Sequence, residues 1–231
     1  MLAGMKSIAP HSLAASHTPR REFLRQLGLG AALFSVPGAF AEELSRKTAS
    51  AEEGPFYPPK LPLDTDNDLI IVNNSITPAV GQIAHVSGRL VDASGSPIRN
   101  ATVEIWEVDS MGVYLADRPQ QAKYDPNFQG FGRFLTGSTG EYYFRAIKPV
   151  SYPGRRAPHI HFKIRRKGQE PWNTQLFVKG EPGNEQDGIY NRIGDAQARA
   201  SVTVDFVPLP DSRISEVAAR FDIVLAADSA S

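Results

Sequence analysis

Apolar and polar residues alternate in a series of short segments between residues 83 and 225. Successive side chains of a β-strand point to opposite faces, so this alternation predicts strands with at least one buried face. Turn-forming clusters such as Asp92-Ala-Ser-Gly-Ser-Pro97 and Thr136-Gly-Ser-Thr-Gly140 separate the segments. Ile214 to Arg220 is expected to contain a turn of helix before the last strand. The predicted strands are 83–91, Ala101–Val108, Glu141–Arg145, His159–Ile164, Thr174–Val178, Val202–Phe206 and Phe221–Leu225.

These strands follow one another without intervening long helices, which predicts an all-β fold: an antiparallel β-sandwich with long irregular active-site loops. Three segments have no hydrophobic period, namely the arm Glu52–Lys60 and the loops Arg118–Gly132 and Lys148–Pro158. The prolines of the arm exclude a regular helix, so we expect it to run extended over the domain. Long loops inside a compact domain are usually functional.

The amino-terminal region has the pattern of an export signal. Residues 18–41 read TPRREFLRQLGLGAALFSVPGAFA, with paired arginines, a short apolar run and a small-residue cleavage site. This predicts a twin-arginine-type signal peptide over residues 1–41 and a mature domain over residues 42–231. An amphipathic first helix is the alternative, and Gly28 and Gly30 weaken it. We therefore expect export to the periplasm or the extracellular space, with no membrane association after the signal is removed.

Charge and cysteine content narrow the classes of function. The chain has 231 residues, and its 25 Lys+Arg balance 25 Asp+Glu, giving a formal net charge of zero. Without excess positive charge to neutralise phosphates, nucleic acid is not an expected partner. The absence of cysteine excludes disulfides, cysteine-ligated zinc, iron–sulfur clusters and thiol nucleophiles. Any metal ion must be held by His, Tyr, Asp or Glu.

His159 and His161 lie two residues apart on a predicted strand, so both imidazoles leave the same face and can share one metal ion. A solvated polar face is the alternative interpretation of this pair. Tyr152 and two arginines precede it on a proline-containing loop. Tyrosinate is a hard anionic oxygen donor that suits Fe(III) better than Zn(II) or Cu(I), although Tyr152 alone could be an ordinary half-buried tyrosine.

Longer motifs occur in one order from about residue 50 to Leu225. They are Glu53-Gly-Pro-Phe-Tyr-Pro-Pro59, Gly88-Arg-Leu-Val-Asp92, Val103-Glu-Ile-Trp106, Gly112-Val-Tyr114, Asp125-Pro-Asn-Phe128, Gly140-Glu-Tyr-Tyr-Phe-Arg145, Tyr152-Pro153 and Pro158-His-Ile-His-Phe162. In these motifs the chain resembles the intradiol ring-cleavage dioxygenases, on the branch of the iron-bearing subunit of the protocatechuate 3,4-dioxygenases.

The resemblance implies a non-haem Fe(III) cofactor with two tyrosinate and two histidine ligands. By similarity these ligands are Tyr114, Tyr152, His159 and His161. Tyr152 and His161 would be axial, and Tyr152 would also accept a proton from the incoming diol. Arg156 matches the family's catalytic arginine and would stabilise carbanionic charge on the ring. Gln175 matches a glutamine near the bound ring.

The resemblance also implies the partners: a catecholic small molecule, O2, and an oligomer made of identical chains or with a related subunit. The expected product is a cis,cis-muconate-type dicarboxylate. Gly154 follows Tyr152-Pro153, where the protocatechuate enzymes usually carry tryptophan, so the same chemistry on catechol or hydroxyquinol is an alternative. The short arm, in place of an added helical region, favours the protocatechuate-like branch.

Two other classes of function are alternatives. A non-catalytic exported β-sandwich binding module would keep the strands but has no reason to keep this set of tyrosines, histidines and arginine together. A zinc or copper enzyme could use the same two histidines. Extradiol cleavage needs a site of two histidines and one carboxylate, and no acidic residue lies beside His159 and His161 in the sequence to complete one.

Overall fold

Short strands make up most of the regular structure in the computed structural model, which describes residues 47–226 apart from 74, 153 and 155. The predicted signal peptide lies outside the described residues. The strands are β1 (Ile83–Asp92), β2 (Thr102–Trp106), β3 (Phe131–Leu135), β4 (Glu141–Ile147), β5 (His159–Arg165), β6 (Trp172–Val178), β7 (Thr203–Val204), β8 (Val207–Pro208), β9 (Val217–Arg220) and β10 (Ile223–Leu225).

One sheet is organised around β1, the longest strand. Strand β4 pairs with it antiparallel, from Ile83 opposite Ile147 to Arg89 opposite Glu141. On the other edge, β9 and then β10 pair with β1 in parallel, and β8 extends the sheet through β9. The sheet therefore combines antiparallel and parallel pairs.

The second sheet has the order β3-β2-β5-β6-β7. Its pairs are antiparallel except for β6 and β7, and the register places Trp106 opposite His161 and His161 opposite Gln175. Three polar or aromatic side chains therefore lie side by side across one face of β2, β5 and β6.

The hydrophobic core is formed by the facing sides of the two sheets. Val86 and Phe144 of the first sheet and Ile105, Ile160 and Phe162 of the second belong to one buried cluster. Burial of this apolar surface is the main stabilising contribution to such a fold. The predicted all-β sandwich is confirmed, with pairing that is mostly antiparallel.

Two local predictions differ from the structure. The turn of helix expected over Ile214–Arg220 is wrong, because Val217 to Arg220 forms β9. Val217 and Ala219 are buried in the core and pair with β1, and this tertiary pairing outweighs the local helix preference. Strand β3 begins inside the segment predicted to be the loop Arg118–Gly132.

Among the described residues, four short helical segments differ from the prediction of strands and loops. Two are 3-10 turns, Leu115–Gln120 and Pro182–Gln186. Two are single-turn α-helices, α1 (Gly188–Arg192) and α2 (Ala196–Ala200), and their N-caps are Asp187 and Asp195. In the described part of the chain, no helix is long and apolar enough to cross a membrane.

Strand β5 is buried on both of its faces, which positions the candidate site. Every residue from His159 to Ile164 is buried, although only Ile160, Phe162 and Ile164 face the sandwich core. The other face of β5 is covered by the arm and by the segments after β2 and β4, which carry Tyr57, Tyr114 and Tyr152. The alternative of a solvated polar face for His159 and His161 is therefore wrong.

Candidate metal centre

His159 and His161 bring their imidazoles together on the outer face of β5. They are 2% and 1% exposed, and their Nε2 atoms lie 3.1 Å apart. The indole of Trp106 stacks on the His161 ring at 4.6 Å, since these two residues are paired across β2 and β5. Burial between aromatic rings leaves each imidazole a narrow range of orientations.

Tyr114 completes a triangle of donor atoms with the two histidines. Its hydroxyl lies 3.1 Å from His159 Nε2 and 3.0 Å from His161 Nε2. Ligands about 2.1 Å from a shared metal ion and at right angles to one another are about 3 Å apart. The spacing of these three atoms therefore fits a single metal ion.

The protonation states of the histidines also suit metal binding. His159 Nδ1 lies 2.7 Å from the carbonyl of Ala157, which leaves Nε2 unprotonated and free to bind a metal. Burial, followed by the nearby Arg156, lowers the pKa of His159 to about 4. Burial and the neighbouring His159 lower the pKa of His161 well below its usual value. Both rings are neutral near pH 7.

A tight turn places Tyr114 in the site. The Asp109 carboxylate accepts hydrogen bonds from the backbone of Met111 and Val113, and Gly112 adopts φ +80° within the turn. A Cβ on Gly112 would lie 3.3 Å from the Cβ of Tyr152, so glycine allows the segments that carry the two tyrosines to approach closely.

Tyr152 lies beside the triangle rather than within it. Its ring is 5.2 Å from the ring of Tyr114 and 5.8 Å from that of His159, and it is partly exposed. Burial raises the pKa of both phenols, while Arg156 opposes the shift in the pKa of Tyr152. Both tyrosines are protonated near pH 7 in the metal-free protein, and only a strong Lewis acid would ionise them.

Arg156 is held by three groups around its guanidinium. Nε donates to the Asp187 carboxylate at 2.7 Å, Nη2 donates to Gln175 Oε1 at 2.8 Å, and Nη1 lies 3.5 Å from the Tyr152 hydroxyl. Gln175 in turn donates to the backbone carbonyl of Glu52 in the arm. The structure therefore brings all six predicted site residues together, while their roles stay predictions.

The arm forms one wall of the site. Phe56 stacks on Tyr114 at 4.5 Å and meets Tyr152 edge-on at 5.9 Å. Gly54, with φ +74°, passes close to the His161 ring, where an added Cβ would be 3.7 Å from Cε1. The aromatic side chain of the arm therefore limits the access of water to the donor atoms.

A buried ionic cluster anchors the arm to the second sheet. Glu104 is 0% exposed and accepts hydrogen bonds from Arg133, Arg165 and the Tyr57 hydroxyl, at 2.9, 3.0 and 2.9 Å. The Lys163 ammonium lies 3.5 Å from the centroid of the Tyr57 ring. Since a buried carboxylate needs partners, Glu104 favours the docked position of the arm.

Two residues that organise the site could not be assigned a role from sequence alone. Phe56 appeared only within a matching motif, because nothing local indicates which ring it contacts. Asp187 was not singled out, although an Asp followed by a potential helix is a recognisable N-cap signal. Its contact with Arg156 spans 31 residues, and sequence pattern does not report pairing over such a separation.

The alternative to this donor set is a metal site completed by a carboxylate. Among the residues described, no group of three or more His, Cys, Asp and Glu side chains could hold a metal ion. The two histidines therefore need the oxygen of Tyr114 to complete even a three-donor set.

Fold and site together define a β-sandwich protein with a buried cluster of tyrosine and histidine donors on the outer face of one sheet. A family model described as Dioxygenase matches residues 52–227. The protocatechuate 3,4-dioxygenase beta chain of Burkholderia cepacia is 34% identical over 174 residues, covering 71% of this chain and 72% of that one. The hydroxyquinol 1,2-dioxygenase of Corynebacterium glutamicum is 29% identical over 234 residues, covering 90% and 73%.

A solved structure agrees with these relatives. The dioxygenase domain of a dioxygenase carbohydrate-binding protein fusion from Streptomyces sp. SirexAA-E has a TM-score of 0.60 and 26% identity, covering 78% of this chain and 99% of that one. The chain belongs to the family of intradiol ring-cleavage dioxygenases. Its enzyme class is therefore that of ring-cleaving dioxygenases.

Proposed function

We propose that this protein is an Fe(III)-dependent intradiol dioxygenase that uses O2 to open a catechol-type ring between its two hydroxyl-bearing carbons, giving a cis,cis-muconate-type dicarboxylate. The observation that carries the proposal is the convergence of donor atoms from Tyr114, His159 and His161 beside Tyr152 and Arg156. A non-catalytic binding module has no reason to bring these tyrosines, histidines and arginine together, which disfavours that alternative.

The donor set supports iron rather than zinc or copper. The residues that would hold the metal are Tyr114, Tyr152, His159 and His161, two phenols and two neutral imidazoles. When bound, Fe(III) is a hard Lewis acid that activates a catechol toward O2. The raised pKa values of the phenols mean that a weakly acidic cation would leave them protonated.

Tyr152 and Arg156 have distinct tasks in this proposal. Tyr152 would accept a proton from the diol, and its position at the edge of the donor triangle supports that general-base role. Arg156 presents a fixed cation in a largely buried site, where a positive charge stabilises negative charge on the ring most strongly. Gln175 helps to position both Arg156 and the arm, because it accepts a hydrogen bond from Arg156 and donates one to the Glu52 carbonyl.

The proposed substrate is a protocatechuate-like catechol. The relatives are named for protocatechuate, catechol and hydroxyquinol, and the protocatechuate beta chain is 34% identical. Direct comparison of the three diols as substrates tests this preference. A kcat/KM at least about tenfold higher for catechol or hydroxyquinol would reassign the substrate and leave the chemistry unchanged.

We also propose export and assembly. The predicted twin-arginine signal over residues 1–41 supports export, and replacing Arg20 and Arg21 together by lysine should retain the protein in the cytoplasm. The kinship with a beta chain supports an oligomer, which sedimentation of the purified protein would measure. A protein that sediments as a monomer at all concentrations would contradict this part of the proposal.

Isotope incorporation tests the activity itself. Iron-loaded protein with protocatechuate under 18O2 should yield the dicarboxylate opened between the hydroxyls, with label from both oxygen atoms in newly formed product. The His161→Ala variant is the control, since it should fold but bind little iron. Full iron content in the wild type without O2 uptake on any of the three diols would contradict the proposal.

A further inference from the structure

A single buried carboxylate connects the helical segment after β6 to the candidate metal centre. Asp187 is 0% exposed. Its Oδ2 accepts hydrogen bonds from Arg156 Nε at 2.7 Å and from the Ala157 amide at 2.8 Å. Its Oδ1 accepts from the amides of Ile189 and Tyr190, at 2.8 and 3.0 Å. All four contacts are N–H donors, so an ionised carboxylate is the group that satisfies them together.

One residue, Ala157, lies between this carboxylate and a predicted metal ligand. Ala157 donates its amide N–H to Asp187, and its carbonyl accepts from His159 Nδ1 at 2.7 Å. Ala157 is buried and packs with Phe177 and Tyr190. Since the hydrogen bond on one ring nitrogen fixes the tautomer and orientation of a metal-binding histidine, the position of the Ala157 carbonyl controls where His159 Nε2 points.

The same carboxylate orients the candidate catalytic cation. Asp187 binds the Nε edge of Arg156, and Gln175 binds Nη2. With two edges of the planar guanidinium fixed, Nη1 is directed toward Tyr152, 3.5 Å from its hydroxyl. An arginine without the Asp187 contact would keep its charge but lose this fixed direction.

We propose that Asp187 is a positioning residue that fixes the orientation of Arg156 directly and that of His159 through the backbone of Ala157, so that one carboxylate aligns the cation and a metal ligand. The inference rests on the proposed function for its catalytic part. Its geometric part concerns only the orientation of Arg156 and His159, which can be measured in the metal-free protein.

The chain contains a matched control for the capping role of Asp187. Asp195 is the N-cap of α2 and accepts hydrogen bonds from the amides of Gln197 and Ala198, both at 2.9 Å. It therefore makes the same kind of pair of backbone bonds as Asp187. Within the described part of the chain its hydrogen bonds are to Gln197, Ala198 and Arg199, outside the candidate centre, so Asp195→Asn changes a cap alone.

The test compares Asp187→Asn with Asp195→Asn. Asparagine keeps the size of the side chain but turns an NH2 group toward donors that need an acceptor. In metal-free protein, 15N NMR should show His159 protonated on Nδ1 in the wild type and in Asp195→Asn, with a larger share of the other tautomer in Asp187→Asn. Iron-loaded Asp187→Asn should lose iron about 10-fold or more faster than the wild type and should turn over about 100-fold more slowly.

Arg156→Ala separates the two effects, because it should slow turnover while iron dissociation stays at the wild-type rate. If Asp187→Asn does not fold, Asp187→Ser replaces it, since serine caps a helix well but is too short to reach Arg156. The proposal is overturned if the Asp187 variant matches Asp195→Asn in tautomer and iron dissociation, or matches Arg156→Ala by keeping iron. A wild type with the expected tautomer but no turnover would instead contradict the proposed function alone.

Discussion

The two tyrosines of the candidate metal centre are held in very different ways. Tyr114 is 2% exposed, its hydroxyl lies within 3.1 Å of two imidazole nitrogens, and Phe56 stacks on its ring. Tyr152 is partly exposed, and its hydroxyl lies 3.5 Å from Arg156. Under the proposed function, Tyr114 would be the more firmly held metal ligand, and Tyr152 would be the phenol placed to accept a proton.

The difference arises from the segments that carry the two residues. Asp109 accepts three backbone N–H bonds, from Met111, Val113 and Asp125, which fix the turn before Tyr114. Tyr152 is partly exposed, and among its described contacts its hydroxyl lies 3.5 Å from Arg156. A closely packed turn fixes the phenol of Tyr114, whereas the side chain of Tyr152 stays partly exposed.

Replacing Tyr114 by phenylalanine should have the largest effect. It removes one corner of the donor triangle while keeping the ring in contact with Phe56, so the protein should fold but retain less than about a tenth of its iron. Turnover should fall more than about 1,000-fold. Metal analysis after gel filtration measures the first effect. Iron content near that of the wild type would contradict the role of Tyr114 as the permanent ligand.

Replacing Tyr152 by phenylalanine should show that the two tyrosines have different roles. Iron retention should weaken less than in Tyr114→Phe, and part of the visible charge-transfer absorption should disappear. Turnover should fall about 100- to 10,000-fold, because the general base is lost. Absorption spectra at equal iron content, with steady-state kinetics, test this prediction. An unchanged visible spectrum would reject Tyr152 as a ligand.

Replacing Arg156 by alanine should slow turnover but leave the visible absorption of the iron-loaded protein unchanged. Removal of a single electrostatic stabiliser from an active site costs about 100- to 1,000-fold in kcat. The visible spectrum should persist, since Arg156 is not a predicted ligand. Arg156→Lys provides the matched comparison, because lysine keeps the charge without the planar contacts to Asp187 and Gln175. Full activity in the alanine variant would indicate that Arg156 has a structural role and no catalytic one.

Lowering the pH should destabilise the folded protein through His159, which contacts Tyr114. His159 stays neutral in the folded protein down to about pH 4, whereas the unfolded chain protonates it below about pH 6.5. Unfolded protein therefore binds more protons in this window, and stability falls as the pH drops from about 6.5 to 4, by about 3 kcal/mol. Urea unfolding of metal-free protein measures this slope. His159→Asn should reduce it, and Tyr152→Phe should leave it unchanged.

Much of the fold followed from sequence because its signals are local. The alternation around His159 and Val103 reflects strands with one face in a shared core, and the clusters of glycine, proline and aspartate mark the turns. Strand β9 was missed because the residues around Val217 become a strand only by pairing with β1, more than 130 residues earlier. Pairing between strands so far apart in the chain does not produce a recognisable pattern in the residues around Val217.

Less of the candidate site than of the fold could be predicted from the sequence. His159 and His161 are recognisable from their spacing, and Tyr114, Tyr152, Arg156 and Gln175 came from motif resemblance. The supporting contacts of Phe56 and Asp187 depend on how the arm and α1 dock against β5 and β6. Their positions follow from tertiary packing, which a periodic pattern does not encode.

The most direct measurement of the central claim is the visible absorption and resonance Raman spectrum of iron-loaded protein, before and after protocatechuate is added without oxygen. We expect a broad red-brown band with contributions from two tyrosinates, of which the Tyr152 contribution disappears on adding the diol while that of Tyr114 remains. Tyr152→Phe should start without the lost contribution. A folded, colourless protein that binds zinc in place of iron, or the loss of the Tyr114 contribution instead, would contradict the account.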